Sequence, residues 1–564
     1  MPATIYLANG TTINCEEALE SEKNIIVRNA QFNSLVQLSM RLWEQRAAAS
    51  ALVAMHVGVG PECIEMAHHS TWQRGMFNLV VPMLVKDKAA ESTGTDKSLD
   101  KASNEVLLRI PMPAKLGEEQ HPGSVADKLQ CETASYIWMQ RHCPEVRIPH
   151  LYGVGFPGAN GGHFSHVSRL SIFRRVALYV RQLVASWLRR PVPSPYLPVA
   201  PPAESVPQPL AETGYMILEY LSEARFGKQL PYTVPHDQPL HDLYAQEPAK
   251  TRNLCRGFAR IMLALARVPQ PRIGAFRFCL ADGTIRLDGR PVSCDMAILE
   301  SEGAPRTVGL DTTYTSADRY VADLARFHES AFRAGPNAAL DQADAEYQMA
   351  IMVVLRAVAH HFVGVRDGNG DRGGQPYLLH LSDSNPGNIL VDDDWQVTAM
   401  FDLEWLFAAP VAELRAPLWL TWQDIHHITQ DGYDDYCASR NIFMDVFREE
   451  EGKQTGTGET PLSDAMDASW TSQRTWYYAS LSSVGGMTQI FQGRLKPLFW
   501  RTETKPDTDA DTNSDTEPQK PALDLPYEAL CRLWQPDAQT VVAQKLRDRE
   551  QYMAGIERLF QDKE

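Results

Sequence analysis

The chain has 564 residues, 44% of them hydrophobic and 22% charged, a length beyond one hydrophobic core and a balance that excludes a disordered or fibrous protein. Its 70 acidic and 54 basic residues leave a formal charge of -16, which argues against a nucleic-acid binder held by phosphate contacts. The nine cysteines form no CxxC pair, and there is neither a signal-peptide pattern nor an uninterrupted apolar stretch of about 18 residues, so reduced thiols and a cytoplasmic location are expected.

Residues 1–65 carry Phe32, Leu35, Val36, Leu38 and Leu42 at three- and four-residue steps, which predicts a helical leader. The apolar runs 76–85 and 105–110 predict strands on either side of a long polar loop, 87–104, and 125–141 predicts a helix that stops at His142-Cys143-Pro144. Residues 164–190 place Leu170, Phe173, Ala177, Val180, Val184 and Trp187 on one helical face, with Arg174, Arg175, Arg181, Arg189 and Arg190 elsewhere. Basic amphipathic helices more often cover a protein core than lie on an anionic membrane, so core covering is the expectation and peripheral membrane contact the alternative.

The Pro-rich tract 191–209 predicts a linker, and GYMILEYL at 214–221 a buried strand. These segments make a β-rich unit over 66–221 with insertions at 87–104 and 164–213. Helical patterning over 242–268 opens a larger, mainly helical unit over 222–500. The acidic, apolar-poor linker 501–522 predicts disorder, 449–459 is a smaller candidate for it, and 523–564 predicts a helical segment packed on the larger unit.

Residues 377–405, YLLHLSDSNPGNILVDDDWQVTAMFDLEW, hold the densest chemistry. Residues 377–381 should be an extended strand, 383–387 a turn, and 389–391 with 397–401 a hairpin about 392–395. Phosphoryl transfer from ATP needs Mg2+ held by oxygen ligands, which Asn388 and Asp402 offer, and a carboxylate to orient the acceptor hydroxyl, which Asp383 offers. The run Asp392 to Asp394 reads as an exposed turn.

This stretch resembles the aminoglycoside phosphotransferase-like family, especially its large fungal branch. The resemblance extends to WQRGMFN at 72–78, LRIP at 108–111, KLQCE at 128–132 and GYMILEY at 214–220. It implies a bilobal protein kinase-like α+β fold, with a small β-rich N-terminal lobe and a larger, mainly helical C-terminal lobe. It also implies that Gly75, Phe77 and Asn78 belong to a loop over the phosphates, and that Arg109 takes the place of the phosphate-binding strand lysine. Glu132 would pair with Arg109, and Glu219, Tyr220 and Leu221 would form the adenine-binding hinge.

Arg109 departs from the family lysine by bringing a planar fork that keeps its charge. The phosphate loop has one glycine, and Leu381 stands where many relatives have histidine, with His380 one place earlier. The expected activity is ATP- and Mg2+-dependent phosphorylation of a small-molecule hydroxyl. The alternative is a catalytically weak, pseudokinase-like binding or scaffold protein. Only Leu406 and Phe407 separate the DLEW run from Ala408-Ala409-Pro410-Val411, leaving no room for an activation segment, so a protein substrate is not expected.

Overall fold

The computed structural model describes residues 4–7, 10–86, 105–158, 161–201, 206–364, 377–456, 458–483, 485–500 and 527–561. The loop 87–104, part of the Pro-rich tract and the linker 501–522 lie outside these residues.

The fold is mixed α+β. An eight-stranded antiparallel sheet runs in the order Ile64–Met66, Asn78–Val85, Glu105–Pro111, Tyr215–Glu219, Leu151–Gly155, His163–His166 and Tyr196–Val199, with Gln73–Arg74 paired to Asn78–Val85. Its central strand is buried on both faces. Tyr215 and Ile217 pack with Leu52, Val81 and Leu108 beneath the helices Ile25–Glu44 and Arg46–Val57. Met216 and Leu218 point the other way, into the main core with Leu129 and Tyr136 of the helix Ser124–His142. Period-two alternation between two apolar layers explains why this strand reads as one continuous apolar run.

Helices dominate the rest of the chain, among them Pro248–Ala266, Ala317–Ala334, Gln342–Ala357 and Tyr433–Thr455. Ala317–Ala334 buries Tyr320, Leu324 and Phe327, one stripe of an amphipathic helix. Two small sheets are set among these helices: Tyr377–Leu381 with Leu406–Pro410, and Lys228–Gln229 with Ile389–Val391 and Val397–Met400.

Three features differ from the sequence expectations and one refines them. The helical leader begins with a hairpin, Thr4–Tyr6 against Thr12–Asn14, whose strands are too short to show a period; Asn14 then caps the helix Cys15–Glu20 through a capping box with Glu17. The helical stretch 242–268 divides at Pro248 into Leu240–Gln246 and Pro248–Ala266, because proline is tolerated in a first helical turn and not inside one.

Residues 449–455 continue the helix Tyr433–Thr455, against the expectation of disorder. Glu450 pairs with Arg260 and Lys453, and Glu451 accepts from the Leu462 and Ser463 amides, capping the helix Pro461–Thr471. The acidic run is taken up by partners on its own helix, on the helix that follows and on Pro248–Ala266, whose Arg252 pairs with Glu449.

The amphipathic helix spans Ile172–Trp187, and only Leu178 in it is buried, so the expectation that it covers a core is overturned. No helix among the described residues is long and apolar enough to cross a membrane, and all nine cysteines are unpaired.

Candidate functional site

Strand pairing holds two polar loops side by side at both ends. On one side Leu381 lies opposite Leu406, and Ser382 Oγ donates to the Trp405 carbonyl at 3.0 Å. On the other, Ile389 lies opposite Met400, and the Phe401 amide donates to the Asn388 carbonyl at 3.0 Å. Loop 382–388 carries Asp383, and loop 401–405 carries Asp402 and Glu404. Asn385 tightens the first by accepting from the Gly387 amide at 2.8 Å. In the second, Asp402 and Trp405 both have φ of 62°, a left-handed conformation costing a non-glycine residue about 1–2 kcal/mol. Such strain persists where the flanking structure fixes both ends, as the two strand pairs do here.

Against these loops stand Asn78 and Arg109 from the sheet and Lys128 and Glu132 from one turn of the helix Ser124–His142. Lys128 Nζ lies 2.5 Å from Glu132 Oε2, 2.7 Å from Glu404 Oε2 and 2.6 Å from Asn78 Oδ1. Arg109 Nη2 lies 2.5 Å from Asp402 Oδ1 and 3.3 Å from Glu404 Oε2, while its Nε is 3.3 Å from Glu132 Oε1. Asn78 Nδ2 donates to Glu404 Oε2 at 3.0 Å.

Three carboxylates thus face two bases, leaving one negative charge uncompensated when all are ionised. The burden falls on Asp402: burial pushes its carboxyl up, and Glu404 and Glu132 outweigh enough of the Arg109 attraction to keep it raised. Burial also acts to raise Glu404, but Lys128 and Arg109 more than offset it and hold that group ionised. Glu132 Oε1 and Arg109 Nε are buried and make no hydrogen bond despite their proximity. One ligand oxygen each from Glu132, Asp402 and Glu404 can be chosen so that all three lie within 4.8 Å of one another. An all-oxygen, acid-rich set with one carboxylate oxygen that makes no hydrogen bond suits a hard divalent cation.

Asp383 stands beside this cluster. Burial, then the negative charges of Glu404 and Asp295, push its carboxyl up to about 6, against hydrogen bonds from the Cys294 thiol and the Asn385 backbone. Such a carboxylate is poised to exchange a proton near neutral pH. It opens onto a cavity of about 370 Å³ whose wall includes Met262, Phe407 and Trp419, with Asp295, Glu413 and Arg415 as charged groups. Burial pushes Glu413 up to about 7, and its Oε1 has no hydrogen-bond partner. Arg415 has no hydrogen bond or ion pair among the described residues.

No protein-family model, curated protein or solved structure matches this chain.

Asp383, Asp402, Arg109, Glu132 and Asn78 come together at the cluster, although Asn78 is buried and held by Lys128 and Glu404. Asn388 is joined to Phe401 through its backbone, and its side chain makes no hydrogen bond among the described residues. Gly75 lies in the tight turn between Gln73–Arg74 and Asn78–Val85, with its amide donating to the Asn78 carbonyl at 2.9 Å. Phe77 is buried edge-on against Trp405, 4.9 Å between ring centroids.

Glu219 accepts from Arg147 at 2.5 and 2.6 Å and from the His150 amide at 2.9 Å, Tyr220 is exposed, and Leu221 packs against the apolar cluster of Phe226, Leu390 and Ala399. His380 packs edge-on to Phe407, and burial lowers it to about 4, so it is neutral. Lys128, Asp295, Glu413 and Arg415 have no individual signal in the sequence; they become visible as a group only through the fold.

Proposed function

We propose that this chain is a cytoplasmic, ATP- and Mg2+-dependent phosphotransferase of bilobal protein kinase-like architecture that phosphorylates a hydroxyl of a small molecule. The observation carrying this reading is the uncompensated negative charge of Glu132, Asp402 and Glu404 beside a carboxylate, Asp383, that opens onto a cavity. The resemblance to the aminoglycoside phosphotransferase-like family points the same way.

In this reading Asp402, with Glu404 or Asn388, holds Mg2+, which supplies charge neutralisation at the β and γ phosphates. Arg109 turns from Asp402 towards phosphate oxygens, and the backbone of residues 219–221 receives the adenine. Asp383 orients the acceptor hydroxyl and takes its proton as the oxygen bonds to the γ phosphorus and ADP leaves. The acceptor occupies the cavity, within reach of Glu413 and Arg415. Nine unpaired thiols fit a reducing compartment.

One observation favours a second reading, a pseudokinase-like binding protein: Arg109 already occupies Asp402 at 2.5 Å. Calorimetric titration with ATP, with and without Mg2+, separates the two. Mg2+-dependent binding that Asp402→Ala abolishes supports the phosphotransferase, while a folded wild-type protein that binds no nucleotide overturns it.

A further inference from the structure

The helix Ile172–Trp187 presents its apolar side to solvent. At about 100° per residue, Ile172, Phe173, Val176, Val180, Leu183 and Trp187 fall within an arc of about 100°. Each of these six is between 51% and 83% exposed. The opposite side rests on the protein: Leu178 is 4% exposed, Gln182 donates to the Pro193 carbonyl at 3.0 Å and Arg174 to the Pro198 carbonyl at 3.3 Å. A helix stabilised by covering a core has the reverse orientation.

Charge identifies what this face meets. Arg175 and Arg181 flank the apolar arc on its two sides, and Arg189 and Arg190 follow the helix. Between Glu145 and Glu204 there is no aspartate or glutamate, in a chain that has 70 of them. A strongly acidic protein has thus kept one segment purely basic, around an exposed apolar face bearing Phe173 and Trp187. The helix is inserted between His163–His166 and Tyr196–Val199, the last two strands at one edge of the large sheet. A second copy seated face to face would bring two arginine rims together, which electrostatic complementarity disfavours.

We propose that this face docks on the surface of an anionic phospholipid bilayer, with the helix lying in the interfacial plane. The six side chains enter the boundary between headgroups and acyl chains, where tryptophan is favoured, and the arginines meet the lipid phosphates and carboxylates. The inference is independent of the phosphotransferase reading.

The test is co-sedimentation of the full chain with vesicles of phosphatidylcholine alone or with about 30% phosphatidylserine, at low and at about 0.5 M salt. Binding to the anionic vesicles, about tenfold weaker to neutral ones and reduced by salt, is the expected result. The double variants Phe173→Ser/Trp187→Ser and Arg175→Glu/Arg181→Glu should each lose it while circular dichroism and melting temperature stay at wild-type values. Absence of wild-type binding, binding retained by both variants, or a helix-dependent dimer in light scattering without vesicle binding overturns the proposal.

Discussion

Arg109 Nη2 lies 2.5 Å from Asp402 Oδ1, and the same guanidinium is 3.3 Å from both Glu132 and Glu404. One cation therefore serves three carboxylates from two different parts of the fold. Arg109→Met should leave these buried acids with Lys128 alone and cost about 3–5 kcal/mol, the usual penalty for orphaning buried charge. Urea unfolding would show this as a lower midpoint. Millimolar Mg2+ should raise the midpoint of the variant more than that of the wild type, because it replaces the missing positive charge. A variant indifferent to Mg2+ would remove the case for a cation site.

Asp383 makes stability depend on pH in a defined direction. Its folded value, about 6, lies above the ~3.9 of an unfolded aspartate, so between the two the folded chain retains a proton the unfolded chain has lost. The contribution is fully present below pH ~4 and is lost as pH rises through the folded value. Asp383→Asn should match the wild type near pH 4 and exceed it near pH 7.5 by about 1 kcal/mol, after allowance for solvent screening. Urea midpoints at the two pH values measure this, and a constant difference between the proteins would show that Asp383 is not held against ionisation. If Asp383 is the base, kcat/KM of the wild type should climb through pH 6 as the carboxylate forms.

Gly227 fixes the position of the hairpin behind Asn388. Its φ is +75°, and an added Cβ would lie 2.0 Å from the Val391 carbonyl oxygen, a backbone atom in the strand paired with Lys228. Gly227→Ala should cost about 3 kcal/mol or more, because neither the backbone conformation nor the neighbour can adapt cheaply. Gly303, with φ +111° and open space around it, is the control: Gly303→Ala should cost only about 1 kcal/mol. Equal thermal shifts for the two would mean the close approach at Val391 is absent in solution.

The sequence made strands and turns legible where burial on two faces or turn chemistry leaves a local signature. Tyr215 to Leu218 is an unbroken apolar run because both faces of this strand are covered, and Asn385-Pro386-Gly387 announces the turn that carries Asp383. Lys128 is different. A lysine four residues before a glutamate is the usual pattern of an exposed helical pair, and only packing around Ser124–His142 makes this one a buried hub. The helix Ile172–Trp187 shows a further limit, since periodicity defines an apolar face without saying what lies opposite it. Glu413 and Arg415 belong to a cavity assembled from distant segments, which no local pattern encodes.

Tyr552 joins the two ends of the described chain through one hydroxyl, which accepts from the Ile25 amide at 2.8 Å and donates to the Lys23 carbonyl at 3.0 Å. Ile25 is the first residue of the helix Ile25–Glu44, so its amide has no partner within that helix, and the residue is 1% exposed. Tyr552→Phe should leave this donor unsatisfied and cost about 1–3 kcal/mol. The loss should be local, because Tyr552, Ile556 and Phe560 pack with Ile5, Ala18 and Ile25 in a cluster separate from the larger cores. Amide exchange should therefore quicken in the first turns of Ile25–Glu44 and in the helix Ala538–Gln561, while Tyr377–Leu381 and Leu406–Pro410 keep their protection. Equal acceleration in all four segments would mean that the terminal cluster opens only with the whole fold, and that the hydroxyl supports global rather than local stability.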